Sequence, residues 1–287
     1  MKKSFDFSSE SINALARADV VRALAEDVGD GDLTAGLIDA ARSATARVLA
    51  RESAVICGSA WVDAALLHLD PQARITWHVR DGERCTANQV VLEIKGRAQA
   101  LLTAERTALN FLQLLSAVAT KTASYVEAVK GTRAKIVDTR KTLPGLRLAQ
   151  KYAVRMGGGT NHRMGLYDAV LIKENHIAAA GGIAQALSRA AEVAARADFV
   201  QIEVETLGQL AQALDAGARM VLLDNMDIPQ LREAVRVNHG RAILEISGGV
   251  TLQGLRALAE TGVDRISIGG LTKDVKATDF SMRFQDL

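Results

Sequence analysis

FVQIEVETLGQLAQALDAGARMVLLD, running from Phe199 to Asp224, decides how this chain folds. Phe199 to Val204 is a short apolar run rich in β-branched residues, and Met220 to Leu223 is another. Between them Leu207 to Ala216 places apolar residues at helical spacing, and Gly217 supplies a helix end. Strand, helix, strand is a βα repeat, and the same rhythm extends both ways. Lys135 to Val137, Ala169 to Ile172, Ala242 to Ile246 and Arg265 to Ile268 are further strand candidates, with Gly181 to Arg196 an amphipathic helix and Gly262 a second helix end. Six parallel strands of this kind either wind into a sheet or close toward a barrel, and a barrel keeps its chemistry at the C-terminal ends of its strands.

The first hundred residues have a different texture. A helix is expected from Ser9 to Glu26, followed by short alternating runs such as Ala46 to Leu49 and Val90 to Ile94. These define a smaller α+β domain. A long helix from about Glu105 to Val129, capped by Thr103, should lead into the repeats. The expected division is 1–110 for the N-terminal domain and 111–274 for the barrel, with no low-complexity linker.

Charge is concentrated rather than spread. From Arg133 to His176 there are nine Lys or Arg against three acids, a net +6, whereas the whole chain of 287 residues carries +2. A general nucleic-acid binder needs a broad basic face, so that class is excluded. Met1-Lys2-Lys3 opens basic without the apolar core of a secretory signal, and no later run is long enough to span a bilayer; a cytoplasmic location is expected, with no membrane partner. Cys57 and Cys85 lack the paired spacing of a metal or redox site and read as buried free thiols.

Polar residues close the strands. Arg140 and Lys141 follow the first, with Arg163 and Lys173 beside them; such a cation cluster repels itself unless it binds anions. His162, between Gly157-Gly158-Gly159 and Arg163, reads as a donor to a substrate carboxylate, while His176 either closes the site or caps the next helix. Glu203 and Asp224 end successive strands and suit Mg²⁺ or sugar hydroxyls. Glu205 shares the face of Glu203 but equally reads as a helix start beside Thr206. Ser247-Gly248-Gly249 and Gly269-Gly270 close the last two strands, where backbone N–H groups of such barrels cradle phosphate. Arg106, placed in the first turn of the long helix, would oppose the helix dipole and so also invites an anion. His68 and His78 have no chemical neighbours, and His239 before Gly240 looks like a helix terminus.

Taken together these stretches resemble the quinolinate phosphoribosyltransferase family, the carboxylating nicotinate-nucleotide pyrophosphorylases. The resemblance rests on Glu26-Asp27, Glu105 to Phe111, Asp138 to Gly145, Gly157 to Arg163, Leu171 to His176, Glu203-Val204-Glu205, Leu223-Asp224-Asn225, Ser247-Gly248 and Ser281 to Phe284. It implies an N-terminal sandwich-like α+β domain, an incomplete (open) α/β barrel, and a C-terminal tail, 275–287, that rejoins the first domain. It also implies a homodimer whose site is completed by the partner's N-terminal region, with Arg106 reaching across, and in some members a hexamer.

The implied reaction joins quinolinate to 5-phosphoribosyl 1-diphosphate with Mg²⁺ present, giving nicotinate mononucleotide, pyrophosphate and carbon dioxide. By resemblance Arg106, Arg140, His162 and Arg163 hold the ring carboxylates, and Lys141 and Lys173 meet carboxylate or phosphate oxygens. Glu203 and Asp224 take ribose hydroxyls and the Mg²⁺-bound diphosphate; Ser247, Gly248, Gly249, Gly269 and Gly270 surround the 5-phosphate. Gly249 stands where the family often has Asn, Gly270 where it often has Ala, and Ala117 where it often has Gly. Three alternatives remain open: a paralogous phosphoribosyltransferase with a different acceptor, a barrel aldolase using Lys173 as a Schiff-base nucleophile, and a non-catalytic nucleotide sensor.

Overall fold

The structure, a computed structural model, describes residues 5–285. The basic start and the last two residues of the expected tail lie outside them. The chain divides into two compact units, 6–123 with 143–158 and 271–287, and 124–142 with 159–270.

The first unit opens with α1 (Ser9–Val28), whose Ser8 cap accepts the N–H of Ser11 and whose buried residues Ile12, Ala16, Val20 and Leu24 recur every fourth position. That stripe packs on α2 (Ser59–Leu69). Four strands form an antiparallel sheet in the order β12 (Phe280–Phe284), β1 (Ser43–Ala50), β5 (Val90–Arg97), β3 (Arg74–Trp77). β1 alternates strictly, burying Ala44, Ala46, Val48 and Ala50. The C-terminal strand runs beside it from Ala46↔Phe284 to Ala50↔Phe280. A small ribbon, β2 (Ala54–Val55) with β4 (Arg84–Cys85), lies apart, and Cys57 and Cys85 are free and buried as expected.

An aromatic cluster sits within the largely aliphatic core of this unit. Trp61 stacks on Phe111 and lies 5.8 Å from the ring of Tyr152 on α4 (Arg147–Met156), and its indole donates to the buried Asp19 at 2.9 Å. The Tyr152 hydroxyl donates to Asp81, which also accepts the Gly58 and Ser59 N–H groups at the start of α2. Burial pushes the Asp81 carboxyl and the Tyr152 hydroxyl up from their ordinary ranges.

The long helix, α3, spans Ala98–Ala128, and this corrects the expected start. Thr103 is not a cap; its hydroxyl donates back to Gln99 O and to Asp32 from inside the helix. The Ala98-Gln99-Ala100-Leu101-Leu102 run carries good helix formers directly out of β5, so no cap is needed. Arg106 therefore lies beyond the first turn, and the dipole conflict inferred for it is absent.

In the second unit all six expected strands are present. They form one parallel sheet in the order β6 (Lys135–Val137), β11 (Arg265–Ser267), β10 (Ile243–Ser247), β9 (Met220–Asp224), β8 (Val200–Val204), β7 (Val170–Ile172). Thr160 adds a single parallel bridge to Val137 at one edge. The strands alternate with α5 (Glu174–Ala180), α6 (Ile183–Ala194), α7 (Leu207–Asp215), α8 (Ile228–Asn238), α9 (Leu255–Ala259) and α10 (Gly270–Lys273). Thr206 caps α7, a reciprocal Asp227–Gln230 pair caps α8, and His239 ends α8 with φ 51°. This is the incomplete α/β barrel, with six strands in an open order.

Candidate active site

The C-terminal ends of the six strands carry the polar residues. Register fixes their neighbourhood: Ser247 stands opposite Asp224 across β10 and β9, and Glu203 opposite Leu222 one layer lower. Lys173, just past β7, places its ammonium 3.5 Å from Glu203 Oε2. Glu203 is held above the usual carboxylate range, first by burial and then by the negative charge of Asp224, with Lys173 opposing both. Lys173 therefore faces an acid and solvent, whereas an amine activated for Schiff-base chemistry needs a desolvating or cationic setting.

Gly248 takes φ 99°, and a Cβ there would stand 3.0 Å from Asn225 Oδ1 and 3.6 Å from Asp224 Oδ1. Asn225, itself at φ 54°, donates to Asp224 Oδ2 at 3.0 Å. The Asp224 carboxylate and the Gly248 backbone are thus neighbours. Across the sheet, a Cβ on Gly269 would meet Lys141 Cδ at 2.8 Å and the Thr139 hydroxyl at 3.5 Å, so the lysine stem lies against the end of β11. Gly249 faces open space, and Gly270 begins α10.

The loop after Thr160 is clamped by buried acids. Asp138, fully buried past β6, accepts His162 N–H at 2.8 Å and the Asn161 amide at 2.6 Å. Asp168 accepts the Met164 and Gly165 N–H groups at 2.6 and 2.9 Å. Arg163 sits between the clamps, half-buried, with one guanidinium nitrogen 3.3 Å from Ala169 O. Burial lowers its pKa and the neighbouring Arg140 charge lowers it further, which places the two guanidinium groups within electrostatic reach of each other. Guanidinium forks of this kind match carboxylates.

His162 differs from the residue-based expectation. Its ring is buried against Phe199; Nδ1 accepts the Arg163 N–H at 2.8 Å and Nε2 lies 2.9 Å from Gln201 Oε1. Both nitrogens face protein, so in this arrangement the ring supports the loop. His176 resolves toward the cap: Nδ1 accepts the Lys173 N–H at 2.9 Å at the start of α5. Glu205 is exposed where β8 gives way to α7, its N–H bonded to Gln209. Arg106 is exposed on α3 in the other unit. Sequence reasoning passed over Asp138 and Asp168 as supports, and Gln201 and Glu245. The last two were findable, because each stands two residues before a chosen site residue on the same strand face.

An open parallel barrel with two guanidinium groups, two lysines, two carboxylates and glycines at its strand ends defines an enzyme site for polyanionic substrates. Known sequences specify it further. Residues 32–116 match the N-terminal domain of quinolinate phosphoribosyl transferase and residues 118–283 match its C-terminal domain. The chain is 44% identical to the nicotinate-nucleotide pyrophosphorylase [carboxylating] of Mycobacterium leprae, over 93% of this chain and 96% of that one. It is 42% identical to the probable enzyme of that name from Bacillus subtilis, over 90% and 89%. The solved nicotinate-nucleotide pyrophosphorylase of Francisella tularensis superposes with a TM-score of 0.94 at 42% identity, over 99% of this chain and all of that one. The chain belongs to the quinolinate phosphoribosyl transferase family.

Proposed function

We propose that this protein transfers the phosphoribosyl group of 5-phosphoribosyl 1-diphosphate to quinolinate with decarboxylation, giving nicotinate mononucleotide, diphosphate and carbon dioxide in NAD biosynthesis. The observation that carries the reading is the Lys173–Glu203 pair at the strand ends, in the same unit as Arg163, which feels the charge of Arg140. Cations gathered in this way match an acceptor with two carboxylates and a donor with a diphosphate.

The barrier lies in breaking the bond between ribose C1 and diphosphate, which leaves an oxocarbenium-like sugar. Arg140 and Arg163 orient the ring carboxylates so that the pyridine nitrogen faces C1, and Lys141 and Lys173 hold anionic oxygens of the two substrates. Glu203 and Asp224 lie where positive charge develops on the ribose and its hydroxyls, and stabilise it electrostatically. Backbone N–H groups of Gly248, Gly249, Gly269 and Gly270, with the Ser247 hydroxyl, receive the 5-phosphate. Once the nitrogen is ribosylated its positive charge stabilises the carbanion left by loss of carbon dioxide, and a proton taken up from water at that carbon completes nicotinate mononucleotide.

Two carboxylates at neighbouring strand ends suit Mg²⁺, which binds through one or two acids together with substrate phosphates; among the described residues no group of three or more His, Cys, Asp or Glu gathers to hold a metal outright. Glu203 and Asp224 would hold Mg²⁺ together with the diphosphate, and the ion would supply neutralisation of leaving-group charge. We further propose a homodimer, able to assemble into a hexamer, in which Arg106 of a second copy adds to the carboxylate site, and a cytoplasmic location; among the described residues no helix is long and apolar enough to cross a membrane.

The test incubates the protein with quinolinate, 5-phosphoribosyl 1-diphosphate and Mg²⁺ and follows carbon dioxide and nicotinate mononucleotide together, with nicotinate as the comparison acceptor. Equal release of both products from quinolinate is expected. Turnover of nicotinate alone would reassign the acceptor.

A further inference from the structure

Beneath the mouth of the parallel sheet a polar column gathers Gln201, Glu245 and Arg265 around the His162 ring. Gln201 stands two residues before Glu203 on β8, and Glu245 two residues before Ser247 on β10, so each shares a strand face with the site residue above it. Gln201 and Glu245 are both fully buried. Glu245 Oε2 lies 2.9 Å from Arg265 Nε, and Oε1 lies 3.5 Å from His162 Nε2. Gln201 Oε1 approaches the same ring nitrogen at 2.9 Å.

The ring joins this column to the site. Because His162 Nδ1 accepts the Arg163 N–H, the proton of the neutral imidazole belongs on Nε2, where Gln201 Oε1 receives it at 2.9 Å and the Glu245 carboxylate faces it from 3.5 Å. A carboxylate buried in this layer is costly, and an ion pair inside a protein is often no better than well-packed apolar residues. Leu222, level with Glu245 on the adjacent β9, shows that an apolar side chain is accommodated at this height. Stability therefore does not account for the acid. What the column does fix is a single tautomer and a single ring orientation, and through Nδ1 the backbone of Arg163.

We propose that Gln201 and Glu245 are positioning residues for Arg163, acting through the His162 ring to hold its guanidinium toward the carboxylate site. The identity of the carboxylate ligand, quinolinate, rests on the function proposed above; the ring geometry does not.

The experiment uses the full chain with two substitutions, Glu245→Gln, which keeps the shape, and Gln201→Leu, which leaves the Glu245–Arg265 pair intact. A misplaced Arg163 should raise the KM for quinolinate about tenfold in each while leaving the KM for 5-phosphoribosyl 1-diphosphate within about twofold. In an Arg163→Ala background neither substitution should raise the quinolinate KM further, because the residue being positioned is gone. An unchanged quinolinate KM in a folded variant, an equal rise for both substrates, or the same rise without Arg163 would each overturn the proposal. Nitrogen NMR of the His162 ring gives a readout that needs no substrate: the wild-type ring should be neutral with its proton on Nε2, and should lose that single state in the variants. A proton on Nδ1 in the wild type would sink the inference, whereas absence of quinolinate turnover with the expected ring spectrum would count against the function alone.

Discussion

Lys173 Nζ stands 3.5 Å from Glu203 Oε2 and ties together the ends of neighbouring strands β7 and β8. The pair is lopsided, with the lysine side chain 52% exposed and the glutamate 16%. Lys173 is the main influence lowering the Glu203 pKa, against burial and the charge of Asp224. Replacing Lys173 by Met should therefore move the acidic limb of the kcat/KM profile to higher pH, as Glu203 becomes harder to ionise. A pH–rate series on wild type and variant checks this, and coincident acidic limbs would remove Glu203 from the ionisations that matter.

Glu203 also has a consequence for stability. Between the ordinary glutamate range and its raised folded value, the folded chain keeps a proton that the unfolded chain has released, so stability falls as pH rises through that window. The cost is absent below the ordinary range and complete above the raised value. Glu203→Gln should accordingly raise Tm at neutral pH, lose that advantage in acid, and lower kcat on the order of a hundredfold. Denaturation at the two pH values, beside an activity assay, reads all three.

The Arg163 pKa is lowered first by burial and then by the charge of Arg140. Arg140→Ala should weaken quinolinate binding by roughly 1.5 to 3 kcal/mol, the scale of a charge-assisted hydrogen bond, without lowering Tm. Arg163→Ala should weaken binding similarly. Titration calorimetry with quinolinate together with thermal unfolding separates affinity from fold; a Tm drop that accounts for the lost affinity would contradict the assignment.

Two glycines should respond in opposite ways to alanine. At Gly157 a Cβ would lie 2.4 Å from Ala119 O and 2.6 Å from Thr122 Cβ, both on the rigid α3, so Gly157→Ala should cost about 1 to 3 kcal/mol of stability. At Gly269 the obstacle is Lys141 Cδ at 2.8 Å, part of a flexible exposed stem. Gly269→Ala should change stability by less than about 0.5 kcal/mol. Its effect should be on substrate, raising KM for the phosphoribosyl donor roughly tenfold by displacing Lys141. Equal Tm losses in both variants would show that Lys141 is not free to yield.

Periodicity was enough for the elements of the barrel. Each of the six strands is a short apolar run, and α6 and α7 are amphipathic helices, because burial on a sheet face and burial along a helix stripe leave different spacings in the chain. The start of α3 was misread for a local reason: Thr103 offers a cap that the helix formers before it make unnecessary. Spacing also could not show that 280–284 pairs with β1, a contact between residues more than two hundred positions apart.

By itself the sequence determined which residues stand at strand ends, since in a parallel repeat the position after each apolar run is the mouth of the sheet. Arg140, Lys141, Lys173, Asp224 and Ser247 follow from that rule alone, and Glu203 is the last polar residue of its own strand. Which way a side chain turns was decided only by the tertiary structure. His162 reads as a ligand donor from its glycine and arginine neighbours, yet a hydrogen bond with Gln201 and the nearby Glu245 carboxylate, both on distant strands, hold its ring toward the interior. Gln201 and Glu245, polar residues inside apolar strands, acquire a purpose only once that ring is between them. The physical reason is that strand alternation is local and can be counted along a chain, whereas the hydrogen-bond partner of a buried group depends on which strands the fold makes neighbours.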